Sequence, residues 1–393
     1  MSSIIFRKLR KWGVLHVEHL LVCLMLALFL GLGAIITLNL SIFNPLSRAL
    51  SDFTMTDVYY EMQQSENKEV NTDIVLVDIT DLHTRDQIAT TIDDINACSP
   101  KVLAIDLMFE RPSYDMMEDA NLVAALEKGK DHEILACKLT DYDPEADAFQ
   151  GNLRSFMASF VDLQYGYTNV YQKHTGGTVR EFTLCQQYSA EEPVYSMPYL
   201  AACRFSGELP QKGEMNVRPV IYSNVEFPVM TPDDVKSHPE FIRGKLVMLG
   251  TMNEEADMHI TPIGKMPGLK IQAFTVLTCL THGEIKKMNM AVSLLLTFLL
   301  CYLSAFIGYK IIKWSPGLYS LWLKLYYLAV VSLLVWLSFI CFVKLGYHFP
   351  LVLPLVALAL LETGRVIYIW IVRSMQKKSN YDIFNKSIYA LPK

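Results

Sequence analysis

Charged residues are scarce in this chain of 393 residues. Asp, Glu, Lys and Arg make up 19% of it, against about 25% in soluble domains, whereas hydrophobic residues make up 52%. A disordered chain needs low hydropathy and a nucleic-acid-binding protein needs a basic surplus, but the formal net charge here is −5. This composition excludes both classes and favours a membrane protein.

The sequence also lacks the motifs that mark common catalytic and nucleotide-binding sites. It contains no G-x-S-x-G, H-E-x-x-H, G-x-x-x-x-G-K-[ST] or G-x-G-x-x-G pattern, and the six histidines of residues 44–288 are scattered without metal-ligand spacing. Because no nucleophile and base can be named, we expect neither enzymatic activity nor a cofactor. A hydrolase remains as a minor alternative.

The cysteines form no CxxC pair. Three of the eight lie in long apolar stretches, and the other five, an odd number, have apolar neighbours. We expect buried free thiols, with two disulfides as the upper limit in an oxidising compartment. The two groups are Cys23, Cys301 and Cys341, and Cys98, Cys137, Cys185, Cys203 and Cys279.

Four apolar stretches are long enough to cross a hydrocarbon core of about 30 Å as helices. The first follows a basic cluster but is too long for a signal-peptide core and precedes no small-residue cleavage site, so we interpret it as an uncleaved signal-anchor. One span therefore precedes a long polar region and three follow it. The stretches are residues 20–38, 291–309, 325–343 and 349–372.

The charge is divided unevenly along the chain. Residues 44–288 hold 21 basic and 37 acidic residues, whereas the remainder holds 14 basic and 3 acidic residues. Basic residues near span ends stay in the cytoplasm, so both termini are predicted to be cytoplasmic in a multi-pass protein of the bacterial inner membrane. The predicted parts are the N-terminus and first span (1–43), a periplasmic domain (44–288), three spans (289–372) and a short tail (373–393).

The exported region alternates apolar runs with helical patterns, which is typical of a parallel sheet covered on both faces. The pattern of residues 44–72 predicts an amphipathic connector helix before the first strand, and that of residues 140–243 predicts a β-rich insert. The predicted strands are 73–78, 101–106, 132–138 and 244–250. The predicted helices are 84–98, with a capping box of Thr84 and Gln87, 119–128, stopped by Gly129, and 268–282, after a loop that ends at Pro267.

The carboxyl ends of parallel strands meet at one edge of the sheet, where open α/β sheets bind ligands. The strands end at Asp78, Asp106, Lys138 and Gly250. The polar residues at this edge could form a ligand pocket or hold a hard cation, or Asp78 and Asp106 could cap turns or pair with Arg85 and Arg111. The candidate residues are Asp78, Asp81, Arg85, Asp106, Glu110, Arg111, Asn253, Glu254, Asp257 and Thr261.

Glu362 and Arg365 lie three residues apart in the last apolar stretch and therefore share a helix face. Charged residues inside a membrane are candidates for function, so this pair is a candidate for coupling across the membrane. The alternative is a pair that only neutralises itself or lies near the interface.

Six segments in this order resemble the second type of CHASE domain, an extracytoplasmic sensor of bacterial cyclases and kinases. Asp57, in the connector helix, fits the same pattern, whereas the tryptophan-containing stretch that often follows the first strand is LHTRDQIAT (82–90) here. The segments are NTDIVLVDITD (71–81), PKVLAIDLMFERP (100–112), DANLVAALEKG (119–129), GYTNVYQKHTGGTVREFTL (166–184), GKLVMLGTMNEEADMHITP (244–262) and MPGLKIQAFTVLTCLTHGEI (266–285).

The resemblance implies a membrane-bound receptor subunit that detects a periplasmic ligand or protein. Such receptors continue into a cytoplasmic output domain, whereas only residues 373–393 follow the last predicted span. We therefore expect a separate effector as partner, and by analogy a homodimer. The alternative is a structural or assembly subunit whose periplasmic domain binds another protein.

Overall fold

A computed structural model describes residues 2–39, 55–64, 67–171, 177–189, 193–211, 217–282, 286–345 and 347–378. The chain divides into two compact units. The globular unit comprises Thr54–Glu284, and the helical unit comprises Met1–Phe53 with Ile285–Lys393.

The described residues form ten α-helices. They are α1 (Ser2–Asn39), α2 (Met55–Gln63), α3 (Arg85–Ala97), α4 (Met116–Gly129), α5 (Met197–Ser206), α6 (Pro232–Ser237), α7 (Gly268–Leu280), α8 (Met290–Trp314), α9 (Tyr319–Leu345) and α10 (Val352–Lys378). Short 3-10 turns occur at Phe156–Ser159, Pro239–Phe241 and Glu255–Asp257.

The same residues form seventeen strands, most of them short. They are β1 (Glu69–Val70), β2 (Ile74–Asp78), β3 (Val102–Ile105), β4 (Glu133–Asp143), β5 (Ala148–Arg154), β6 (Gln164–Tyr167), β7 (Glu181–Thr183), β8 (Cys185–Gln186), β9 (Val194–Tyr195), β10 (Val217–Pro219), β11 (Val225–Glu226), β12 (Val229–Met230), β13 (Leu246–Gly250), β14 (Met258–Thr261), β15 (Gly264–Pro267), β16 (Lys286–Lys287) and β17 (Tyr347–His348).

A mostly parallel sheet forms the centre of the globular unit. Its strand order is β12-β2-β13-β3-β4, with β6 parallel and β5 antiparallel to β4. In register, Leu246 of β13 pairs with both Ile74 of β2 and Val102 of β3. The predicted parallel sheet is therefore confirmed. The strand predicted at 244–250 lies between β2 and β3, the first two of the predicted strands.

Helices cover both faces of this sheet, which explains why its central strands are apolar at nearly every position. Helices α3 and α4 pack with Val75, Leu103 and Val247 in one core cluster. The intervening side chains point to the other face, where α7 contacts β2 and β13 and α5 contacts β3 and β4. The result is a three-layer α/β arrangement.

Local signals predicted α3 better than α4. Thr84 caps α3 and forms the expected capping box with Gln87. Helix α4 begins at Met116 rather than 119, because the Asp115 side chain accepts a hydrogen bond from the Met117 N–H. Gly129 is the last helical residue and not the cap; a Cβ there would lie 1.9 Å from Glu133 Oε1, so glycine serves close packing.

The region predicted as a β-rich insert does contain short strands, but two local expectations were wrong. Strand β4 continues to Asp143 and pairs with β5, beyond the predicted end at 138. Residues 258–267, predicted as loop, form the antiparallel hairpin β14–β15, which turns at Gly264 with φ of 111°. Of the predicted connector helix, Met55–Gln63 is helical, and residues 44–54 lie outside the described residues.

Four helices of the described chain are long and apolar enough to cross a membrane. The first qualifying stretch begins at Gly13, earlier than the predicted 20–38, and belongs to the long helix α1. Helices α1, α8 and α10 pack around a shared apolar cluster that includes Leu26, Cys301 and Leu361. The qualifying stretches are Gly13–Gly31, Met290–Trp314, Tyr319–Cys341 and Val352–Gln376.

Candidate functional site

Asp78 and Asp106 end up at the same edge of the sheet, as the strand pattern predicted. Asp78 is the last residue of β2 and pairs with Gly250 of β13. Asp106 directly follows β3, and its N–H donates to Leu249 of β13. A Cβ on Gly250 would lie 3.3 Å from the Asp106 Cβ and 3.1 Å from Leu269 of α7, so the glycine lets the two strands and α7 approach closely.

Asp78 holds the turn that follows its strand. Its carboxylate accepts hydrogen bonds from the Thr80 N–H at 3.0 Å and the Thr80 hydroxyl at 2.5 Å. The Thr80 oxygen in turn accepts from the backbone of Met252 and Asn253. The carboxylate of Asp78 therefore connects the loops after β2 and β13 and has a structural task.

Arg85 pairs with neither Asp78 nor Asp106, so this part of the alternative prediction was wrong. It forms an ion pair with Asp119, donates to the Arg111 carbonyl and lies about 5 Å from the rings of Phe109 and Phe156. The carbonyl of Arg111 thereby fixes the loop after β3 against α3. The remaining predicted residues of these loops have exposed side chains; they are Asp81, Glu110, Arg111, Asn253 and Glu254.

Asp106 is partly buried and contacts residues far away in the sequence. Its Oδ2 accepts a hydrogen bond of 2.5 Å from Gln272 Nε2 of α7, and the Thr168 side chain after β6 also favours its charged form. Burial, reinforced by the nearby Asp257 carboxylate, raises the pKa of Asp106 to about 7. Asp106 can therefore change its charge near neutral pH.

Asp257 and Thr261 belong to the structures that lead into α7. The Asp257 carboxylate accepts from the Gly268 N–H at 3.0 Å, at the N-terminus of α7, where a negative charge is favourable. His259 Nε2 lies 3.3 Å from the same carboxylate. Thr261 donates to the Gly264 carbonyl and closes the β14–β15 turn.

A small cavity of about 30 Å³ adjoins the Asp106 contacts. Gln272 is 6% exposed, and no hydrogen-bond partner for its Oε1 is found among the described residues. Thr168 and Gln272, the two side chains that favour the charged form of Asp106, both line the cavity. The other lining residues are Tyr167, Asn169, Val170, Tyr171, Val179, Glu181, Phe182, Thr183, Ser196, Pro198, Val220, Ile271 and Thr275.

The cavity is lined by α7, which precedes the second apolar helix along the chain, and by a second segment that an ion pair links to α2. One wall is α7, which ends at Leu280, shortly before α8 begins at Met290. Another part of the wall includes Val179 and Val220, beside Arg180.

Arg180 joins that wall to α2, the helix that follows the first apolar helix along the chain. Its guanidinium pairs with the Asp57 carboxylate of α2 through contacts of 2.6 and 2.9 Å. Tyr60 of α2 adds a hydrogen bond of 3.4 Å to the Val220 carbonyl and packs edge-on against Tyr222.

Comparison with known proteins agrees with this architecture. The family model of the CHASE2 domain matches residues 21–308, well over half of the chain. The chain belongs to the CHASE2 family. CHASE2 domains are extracytoplasmic sensor domains, so the resemblance of the six segments is confirmed. No curated protein and no solved structure matches the chain.

The CHASE2 chain carries a second polar site among its apolar helices. Glu362 and Arg365 of α10 form the expected ion pair, and the Tyr327 hydroxyl of α9 donates to Glu362 at 2.6 Å. Arg365 is 5% exposed, and a Cβ on Gly308 of α8 would lie 3.3 Å from its Nη1. Three helices thus enclose the pair, and Gly308 leaves room for it.

The pattern of uncharged residues gave no indication that α1 contributes polar groups to the helical unit. Glu18 and His19 of α1 are buried, and both ring nitrogens of His19 lack a hydrogen-bond partner among the described residues. The His19 ring contacts Phe306 and Tyr309 of α8. The prediction missed them because it began the span at residue 20, whereas α1 is helical from Ser2 onwards.

The residues that sequence reasoning missed in the CHASE2 globular unit are Gln272, Thr168 and Arg180. Gln272 is a single amide within an apolar helix, which was a usable signal, whereas Thr168 and Arg180 lie in polar segments where nothing distinguishes them. Among the described residues, no three His, Cys, Asp or Glu side chains are grouped to hold a metal ion. The eight cysteines, all within the described ranges, are free thiols.

Proposed function

We propose that this CHASE2 protein is a multi-pass membrane sensor that detects a periplasmic signal and passes it across the inner membrane to an effector protein. One span precedes the sensor domain and three follow it, with residues 44–288 outside and both termini in the cytoplasm. The acidic surplus of residues 44–288 and the basic surplus elsewhere support this orientation. The pairing of β16 with β17 supports α8 and α9 as two consecutive antiparallel spans, because it brings the start of α8 and the end of α9 together.

The position of the cavity is the observation that carries the proposal. A group that enters it contacts α7, which precedes the second span along the chain. The same group contacts Val179 and Val220, in the part of the wall that Arg180 links to α2. A ligand that binds one arrangement of these walls better than another shifts the population of arrangements. The shift then reaches spans on both sides of the domain.

Filling the cavity with a side chain tests this function without a known ligand. In the full chain in nanodiscs, Thr275→Leu should change the hydrogen exchange of α2 and of the first turns of α8, because Thr275 lines the cavity. The matched control is Thr281→Leu, an exposed position at the end of the same helix. Altered exchange confined to α7, or equal effects of both variants, would contradict the proposal.

A protein-binding role for the same domain is the second candidate function. Tyr114, Met116 and Met117 are 111%, 83% and 64% exposed and form a short apolar segment at the start of α4. Such clustered apolar exposure marks interaction surfaces. An assembly subunit would lose a co-purifying partner in Met116→Ser/Met117→Ser and would be indifferent to Thr275→Leu.

A further inference from the structure

The polar groups around the cavity are arranged to accept hydrogen bonds from an occupant. Gln272 lines the cavity and donates a hydrogen bond from its Nε2 to Asp106, whereas its buried Oε1 has no donor among the described residues. A buried acceptor without a donor destabilises the folded state. An occupant with N–H or O–H groups removes this cost.

The charge around the cavity selects the sign of the occupant. Glu181 lines the cavity, Asp106 is one hydrogen bond away through Gln272, and Asp257 lies close enough to Asp106 to act on its charge. The described lining residues include no Lys, Arg or His. Arg180, which adjoins the lining residues Val179 and Glu181 in the chain, forms an ion pair with Asp57. The surroundings are therefore acidic and favour a cation.

Size and neighbouring space restrict the cation further. The cavity volume of about 30 Å³ suits a group of one or two heavy atoms. A larger pocket of about 580 Å³ shares Tyr167, Asn169, Val170, Tyr171 and Thr183 with it and adds apolar and aromatic side chains, among them Leu139, Tyr142 and Phe149. A volume of this order is typical of small-molecule sites.

We propose that the periplasmic site binds a primary amine, with its ammonium group in the small cavity on Gln272 Oε1 and its carbon body in the adjoining aromatic pocket. This inference rests on the proposed sensor function and names its class of ligand. Tyr142 and Phe149, with ring centroids 5.1 Å apart, provide the apolar surface for the body, and the ammonium N–H groups satisfy the amide oxygen.

The test uses 2-phenylethylammonium chloride as the probe and benzyltrimethylammonium chloride as a cation that has a ring but no N–H donor. We expect the probe to raise the melting temperature of the full chain in detergent, and the trimethyl compound to leave it unchanged. Gln272→Met should weaken probe binding by about tenfold or more, because it removes the acceptor and keeps the side-chain length. Gln187→Met, the same change outside the cavity, should bind normally.

Equal shifts of the melting temperature with both cations, or normal probe binding by Gln272→Met, would overturn the amine site. The absence of any shift would also overturn it, because that is the result for a cavity that holds only water. The proposed function fails separately. If the probe binds in a Gln272-dependent way but leaves hydrogen exchange in α2 and α8 unchanged, the ligand class stands and the sensor role does not.

Discussion

Asp78 and Asp106 end two strands of one sheet with the same chemical group, yet their neighbours give them different tasks. Asp78 bonds to Thr80, two residues away, and is satisfied locally. Asp106 bonds to Gln272, which is 166 residues away, beside a second carboxylate. Strand periodicity could predict where both carboxylates lie, but not this difference, because it depends on contacts that only the folded chain creates.

The raised pKa of Asp106 predicts how the stability of the protein depends on pH. The pKa of about 7 exceeds the ordinary 3.8, so the folded chain retains a proton that the unfolded chain has lost. Its contribution to stability is complete at low pH and is lost as the pH rises through about 7. Asp106→Asn has no charge to bury and should therefore gain melting temperature over the wild type, with a larger gain near pH 8 than near pH 5. A gain that does not vary with pH would contradict the assigned burial of this carboxyl.

The Glu362–Arg365 pair allows a second residue-scale prediction. Glu362→Leu leaves the buried Arg365 without its counter-charge and should destabilise the full chain by about 3 kcal/mol. Glu362→Leu/Arg365→Leu removes both charges and should recover most of that loss in thermal unfolding. If the pair couples signal to output, the double variant folds but no longer responds; unchanged assembly and response would contradict the coupling role.

At the scale of elements, local patterns were sufficient where the controlling contacts are local. The parallel strands and the capping box of α3 were predicted because alternation, apolar runs and the Thr84–Gln87 spacing lie within single segments. The β14–β15 hairpin was missed because its strands are short and half-exposed. Gly129 was assigned to a cap because sequence does not show that Glu133 and Asn96 approach it.

The attachment of α2 to the cavity wall is testable by a double-mutant cycle. Asp57 and Arg180 are mostly buried, so either single change to Ala removes this ion pair from a site with little access to water. We expect Asp57→Ala and Arg180→Ala each to lower stability by about 1–3 kcal/mol, and the double variant to lose less than their sum. Strict additivity in urea denaturation would show that α2 is not held by this pair.

At the scale of the whole molecule, the uneven charge and the apolar stretches predicted a membrane protein with an acidic domain between spans. The cavity could not be predicted, because it combines residues from β6–β7, the segment around Val220 and α7, which are distant in sequence. All five tryptophans, Trp12, Trp314, Trp322, Trp336 and Trp370, lie outside the globular unit Thr54–Glu284. Tryptophan emission therefore reports on the helical unit alone.

The position of the tryptophans allows a direct test of whether ligand binding in the CHASE2 cavity changes the conformation of the apolar helices. Selectively excited tryptophan emission would be followed in the full chain in nanodiscs during titration with 2-phenylethylammonium. We expect a saturable change in the wild type and in Gln187→Met, none in Gln272→Met, and none with benzyltrimethylammonium. If the melting temperature shows saturable binding while the tryptophan emission stays unchanged, ligand binding in the cavity does not alter the apolar helices and the proposed transmission is wrong.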